Sequence, residues 1–549
     1  MKIQFRINAA GALRNQRFAF TSRYALISEL LQNARRAGAT HIEIRHDIGS
    51  AALSVADDGV GIQDFQALLT LHESGWDAQT QQEESPFGVG FSKCLYASTR
   101  CVVRSNGRRI DFLTASALTL EPIEVEPDPA SRRRPGCQVE LHGVDLAELE
   151  TRIEALCEGF PIAVSYNGQP MARRFAVDHL PMTETPTGWI HLAGRDDGHF
   201  ARDTVAFLQG FCVLRPAWFT PERVNVVHLD PRQFMARLPD RDRLVDEEEQ
   251  RPRIQAALKA LWRETLLKAK ACLDPASFVA TYFQVMRHWG HRELLNDLDV
   301  LPAEICFTIC DYPVQTVTAS CDWLRHLEQA PTRASIENGS CVLMQLDSLS
   351  ADNAGRWMLA RQRGHLLVEA FWLDAGHWVH PLVRDLDVPE LQIEAVGEQQ
   401  RTVLQGLWLW PTVVLCEAVH IRIGAETAEV FDAGVGHAST LYIPSGEHLG
   451  QSLRQLSTYA DENGQSLDHE LGEDLQALAV LLRRLRAVDP LQTLESLLGE
   501  LQLGRYPLLH GLTFQVTVGV GTAPGCSLEL LDARTAGSSA RSGERHVRH

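Results

Sequence analysis

The chain has 549 residues, too many for one hydrophobic core, and three to four domains are expected. It is 45% hydrophobic and 22% charged, as globular proteins are, and its formal charge of −18 argues against binding nucleic acid through the overall field. Twelve scattered cysteines without a CxxC pair disfavour a zinc framework and read as reduced, mostly buried thiols of a cytoplasmic protein.

In chain order, the opening MKIQFRINAAGALRN has no apolar run after its charges, so no leader is expected. A helix is predicted over 20–37. Leu26, Leu30, Ala34 and Ala37 recur at helical steps, Thr21 or Ser22 can cap the start, and Gly38 stands at the stop. Strands follow at Thr40–Arg45 and Ala52–Ala56, turned by Asp47-Ile-Gly-Ser50. Asp64–Leu71 reads as helical, 72–87 as a polar loop, and Ser92–Ala97 as a further helix. Asn106-Gly107 between Cys101–Arg104 and Arg109–Thr114 is a hairpin signal, and Val139–Leu141 is a short strand.

Beyond residue 175 short strand-like pieces run to 240, followed by helices over 246–273 and 276–297. Residues 300–450 are rich in β-branched residues, and 469–503 carry leucines at helical spacing. The most apolar stretch, 407–419, is shorter than the about 20 residues that span a bilayer and reads as core strands. The resulting division is 1–175, 176–298 (a middle domain ending in helices), 299–460 (β-rich), 461–532 (helical with terminal strands) and 533–549 (a disordered tail).

Three segments carry chemistry together. Glu29 and Asn33, four apart on a helix, project from one face, so a carboxylate can activate water beside an amide oxygen that holds a metal. Asp57-Asp58-Gly59-Val60-Gly61 follows a strand, where glycines admit a ligand closely and a carboxylate can accept from an exocyclic amino group. Gly88-Val89-Gly90-Phe91-Ser92-Lys93 runs a glycine-rich loop into a helix, offering backbone amides to phosphates, with the preceding polar loop as a lid. Taken singly, each has a bland reading: a solvated helix face, a turn, a loop. Their order and spacing together are what count.

ELLQNARRAGATHIEI, SVADDGVGI and FGVGFSK resemble the GHKL superfamily over about residues 15–145, with the ninety-kilodalton heat-shock chaperones, sacsin-like repeats and MutL proteins nearest in feel. The resemblance implies an α/β sandwich, a mixed sheet covered on one side by helices, that binds ATP and magnesium. Glu29 would be the general base and Asn33 the magnesium ligand. Asp57 would hold the adenine amino group, with Ala37, Gly59, Gly61 and Ile62 shaping the pocket. Gly88, Val89, Gly90 and Phe91 would meet the phosphates.

Two positions depart from that pattern: Arg36 replaces a usual Asp, and Gly136-Cys137 a Gly-Thr. Binding is expected to survive them, with slow hydrolysis. The resemblance thus implies a slow ATPase acting as a lid-gated, chaperone-like switch, with a homodimer and a protein client as partners and no membrane. The alternative is a nucleic-acid-directed ATPase of MutL or MORC type, in bacterial defence or on a mobile element. A histidine kinase is disfavoured, because its asparagine motif lacks the leading glutamate seen here and no phospho-acceptor helix is found in the 28 residues before Glu29. A pure binding module ordered by ATP is a fourth reading. Arg237, Arg241 or Arg243 stands near where a second domain would supply a cation, although surface charges or pairs with Asp240, Asp242 and Asp246 are the plainer reading. His288 and His291 lack the partners a metal site needs.

Overall fold

The ELLQN segment folds as the sequence pattern dictates. Helix α2 (Ala25–Arg36), which follows a short α1 (Ala9–Gln16), buries Leu26, Ile27, Leu30 and Leu31. Its C-terminus is a Schellman stop: Gly38 takes φ +68°, Gly38 N donates to Arg35 O at 3.0 Å, and Ala39 N to Ala34 O at 3.1 Å. The computed structural model describes residues 4, 8–16, 24–70, 76, 90–237, 241–310, 324–345, 354–387, 389–447, 451–519 and 525–532. Thr21 and Ser22, expected as caps, the 533–549 tail, and all of the 72–87 loop except Trp76 lie outside those residues.

The described chain divides into two compact units, residues 1–302 with 372–377, and residues 303–371 with 378–549. In the first unit, β1 (His41–Asp47) and β2 (Ala52–Asp57) form a hairpin whose turn is held by Asp47, accepting from Gly49 N at 2.9 Å and Ser50 Oγ at 2.6 Å. The helix expected over Asp64–Leu71 shrinks to α3 (Gln66–Leu69), and α4 (Ser92–Ala97) forms where predicted. β3 (Arg100–Ser105) and β4 (Arg108–Leu113) turn through Asn106 and Gly107, both at positive φ, as an Asn-Gly hairpin requires.

α5 (Thr114–Leu118), β5 (Glu126–Pro127), β6 (Cys137–His142), α6 (Leu149–Cys157), β7 (Ala163–Tyr166) and β8 (Gln169–Pro170) complete the layer. The sheet order is β5-β4-β3-β6-β2-β1-β7-β8, antiparallel except for the parallel β1–β7 pair. Period-two alternation sends Ile42, Ile44, Leu53, Val55, Val139 and Leu141 to one core with the apolar faces of α2 and α6, and leaves Glu43, Arg45 and Glu140 on the opposite face. This is the mixed sheet with helices on one side that the sequence implied.

A second, five-stranded sheet follows: β9 (Thr183–Thr185), β10 (Gly188–His191), β11 (Thr204–Leu208), β12 (Phe211–Leu214) and β13 (Asn225–Leu229), ordered β12-β11-β13-β10-β9. α7 (Glu247–Cys272) buries Ile254, Leu258, Leu261 and Leu266 as expected. α8 (Pro275–Trp289) stops at Gly290, φ +72°, short of the predicted 297, and a 3-10 turn at Arg292–Leu295 takes over.

The second unit is rich in short strands, with three sheets of five, three and four strands and a two-stranded C-terminal hairpin. Two expectations need correction. The helix predicted over 469–503 is two helices, Asp468–Arg486 and Pro490–Glu500: Asp489 accepts from Leu491 N at 3.0 Å, and Pro490 has no amide to continue the first helix. The 407–419 stretch is strand only from Thr412 onward. The Asp474 carboxylate, fully buried, accepts the amides of Leu407, Trp408 and Leu409 and the hydroxyl of Tyr459, which fixes a loop with Leu407, Trp408 and Trp410 facing solvent. No helix among the described residues is long and apolar enough to cross a membrane.

Candidate functional site

Glu29 is 9% exposed, facing the start of α4. A Cβ on Gly90 would fall 1.8 Å from Glu29 Oε1 and 1.9 Å from its Cδ, so the glycine lets the loop lie directly on the carboxylate. No hydrogen bond to that carboxylate is formed among the described residues. Burial, with the Glu29 charge beside it, pushes the neighbouring Cys94 thiol up to about 12. One turn along α2, Asn33 is half-buried, and its side-chain amide makes no hydrogen bond among the described residues. Phe91 is buried at the head of α4, while Gly88 and Val89 lie outside the described residues.

At the end of β2 the two aspartates part. Asp58 is structural: it accepts from Thr40 N at 2.7 Å and His41 N at 2.9 Å, tying the end of β2 to the start of β1. Asp57 points inward, accepting from Gly59 N at 2.9 Å and from the Cys137 amide. Burial raises its carboxyl above the ordinary range, the two amides oppose that, and the Asp58 charge adds to it.

The loop after Asp57 is pinned against its neighbours. Gly59 lies on Ala37, where a Cβ would come within 2.7 Å of both Ala37 Cβ and Ala37 O, and Val60 N donates to Ala37 O at 2.9 Å. Gly61, φ +71°, packs on Ser105, Asn106 and Gly136. Ile62 N donates to Ser105 Oγ at 2.9 Å, and Ser105 Oγ donates to Gly136 O at 2.7 Å. Gly136, φ +85°, has no room for a side chain, since a Cβ would sit 1.9 Å from Asp57 O. The Gly136-Cys137 pair therefore stands beside Asp57, where the resemblance placed a Gly-Thr.

The structure thus brings Glu29 to Gly90, and Ala37, Asp57, Gly59, Gly61 and Ile62 into one pinned loop cluster at the strand end. Residues 21–133 match the family model described as "Histidine kinase-, DNA gyrase B-, and HSP90-like ATPase". This segment is a GHKL-type ATPase domain. Membership of that family supports ATP binding by the domain. A solved structure described as the N-terminal domain of a DNA repair protein aligns with a TM-score of 0.32 at 14% identity, covering 48% of this chain and 100% of that one. No curated protein matches.

Sequence reasoning missed the partners that hold the GHKL-type domain's loops in place. The hairpin signal covers Asn106 and says nothing of Ser105, yet Asn106 Nδ2 also donates to Ile62 O at 3.2 Å. Gln209, at φ +55° in the β11–β12 turn, was not singled out: its Oε1 accepts from Gln32 Nε2 at 2.7 Å and from Arg241 Nη1 at 3.0 Å. Of the three arginines considered, Arg237 and Arg243 are exposed, Arg241 is half-buried, and Asp240 lies outside the described residues. His291 pairs with Lys259 O at 2.9 Å and His288 packs on Phe200; no metal-binding cluster occurs among the described residues.

The Asp57 shift sets a pH dependence. Acceptance from an exocyclic amino group is strongest when the carboxylate is ionised. Burial makes Asp57 hold its proton at higher pH than an ordinary carboxyl does, so if Asp57 accepts from the nucleotide's amino group, as the resemblance implies, affinity should fall as pH drops through that raised value. Fluorescent-nucleotide titrations across pH should show this decline, and Asp57→Asn should bind weakly with a flat profile. An equally steep decline in the variant assigns the titration to another group.

Proposed function

We propose that residues 1–175 bind ATP with magnesium and hydrolyse it slowly, and that the cycle operates a lid-gated, chaperone-like switch acting on a protein client. The observation that carries this reading is the close packing of Gly90 on the buried Glu29, one helical turn from an Asn33 amide left open among the described residues.

In this reading the protein's work is positioning. Glu29 orients a water and takes its proton as it attacks the terminal phosphorus. Asp57 accepts from the adenine amino group, and Ala37, Gly59, Gly61 and Ile62 form the wall around the base. Gly88, Val89, Gly90 and Phe91 would offer backbone amides to the phosphates. The residues fit a magnesium ion, with the open Asn33 amide oxygen as the ligand they provide; when bound, the ion neutralises phosphate charge. Cys137 offers no hydroxyl to the adenine side, and Arg36 no carboxylate, which fits slow turnover with binding intact.

The test is nucleotide binding with and without magnesium. The parent should bind ATP saturably and more tightly with the ion, and Asn33→Ala should lose most of that magnesium-dependent gain, about tenfold or more. A parent that binds no nucleotide ends the reading. Sedimentation with and without ATP reports whether the switch acts through the oligomeric state.

A further inference from the structure

A cavity of about 740 Å³ opens beside the first turn of α2. Its walls come from α2 (Ser28), α6 (Arg152), β12 (Arg215), the segment before α7 (Arg241, Arg243) and α7 itself (Arg251). Five arginines line it with the carboxylates of Asp242 and Glu247, in a chain whose formal charge is −18. Two of the five are neutralised locally: Arg251 pairs with Glu247, and Arg215 with Glu158. Arg152 and Arg243 are exposed, and neither has a carboxylate within ion-pair distance among the described residues. The Arg152 guanidinium lies 5.2 Å from the centroid of the Tyr24 ring, which holds it in place without cancelling its charge. The floor is apolar, with Leu156, Phe211, Val213 and Leu214.

We propose that this cleft binds a small phosphate-bearing anion. Guanidinium forks match phosphate oxygens in geometry and charge, and the volume lies within the roughly 300–1,000 Å³ of small-molecule sites. The cleft carries a positive surplus while the chain as a whole is acidic, so a long polyanion gains less from the rest of the surface than from the cleft. The apolar floor suits an organic portion beside the phosphate. Purely electrostatic capture would not need it.

The cleft has two physical connections to the proposed hydrolytic helix. Ser28 in its wall precedes Glu29. Arg241, also in its wall, shares the Gln209 Oε1 acceptor with Gln32, the residue before Asn33. An anion that draws Arg241 toward itself leaves Gln209 to Gln32 alone and so bears on the helix that holds Glu29 and Asn33. This coupling rests on the ATPase reading; the binding site does not.

Tripolyphosphate is the probe, titrated calorimetrically into the full chain. The parent should bind it saturably, and Arg152→Gln/Arg243→Gln should weaken that binding by about tenfold or more while ATP affinity stays within about twofold. Both arginines are exposed, so the variant should fold. Asn33→Ala should lose magnesium-dependent ATP binding and keep tripolyphosphate binding, which separates this site from the ATP pocket. The proposal is overturned by any of three results: no saturable binding by the parent, binding lost in Asn33→Ala but kept in the double variant, or displacement by single-stranded oligonucleotides with affinity rising with their length. The coupling is supported when tripolyphosphate changes ATP turnover in the parent but not in the double variant, and refuted when it changes both equally, because that is competition in the ATP pocket.

Discussion

Replacing Glu29 with alanine is expected to lower ATP hydrolysis by about a thousandfold while nucleotide affinity stays within about twofold. The carboxylate is buried, makes no hydrogen bond among the described residues, and meets the loop through Gly90. Removing it takes away the group that would accept the water's proton and leaves the Asp57 loop and its hydrogen bonds untouched. Phosphate release at saturating ATP, measured beside equilibrium nucleotide titration, separates the two effects. Hydrolysis at the parent's rate would place the general base elsewhere.

Gly90→Ala should be nearly as damaging, by at least about a hundredfold, although it adds only one methyl group. That methyl would fall 1.8 Å from Glu29 Oε1 and 2.4 Å from its Cγ, an overlap that only a shift of the carboxylate or of the loop relieves. Either the carboxylate swings away or the loop retreats from it, and each outcome separates the base from the phosphates. The two substitutions should be strongly non-additive. With alanine at 29 the clash disappears, so adding Gly90→Ala should cost little more in thermal stability or nucleotide affinity. If the two effects simply add, the residues do not touch in the working protein.

Both predictions turn on a contact between residues far apart in sequence, which shows where the sequence could be read and where it could not. Local features were legible because their causes are local. Gly38 ends α2 through hydrogen bonds to Arg35 and Ala34, Asn106-Gly107 turns a hairpin at positive φ, and Ile42 and Ile44 alternate into the core. The residue types of the candidate site stood out too, since a Glu/Asn pair on one helix face and an Asp before glycines are patterns with few other uses in combination.

Long-range partners left no local trace. DDG does not say that Asp58 will bond to Thr40 and His41 while Asp57 turns inward. Gln209 carries no signal that it will meet Gln32, because an amide in a turn looks the same whether it is solvated or paired. Hydropathy misplaced Leu407, Trp408 and Trp410 for the same reason. A buried carboxylate some 65 residues later, Asp474, collects the amides of that loop and holds its side chains outward.

The strand order has a consequence for how the ATPase domain is assembled as the chain leaves the ribosome. β6, after residue 133, lies between β3 and β2, and so joins two hairpins that share no direct pairing. Until it emerges, β1–β2 and β3–β4 are separate ribbons with bare edges, and β1 waits longer still for its parallel neighbour at Ala163–Tyr166. Translation therefore passes through an interval, from the end of β4 at Leu113 to the end of β6 at His142, in which the two hairpins cannot join. In that interval the nascent chain is most exposed to wrong strand partners, and a gene fragment ending at residue 133 would remain there permanently.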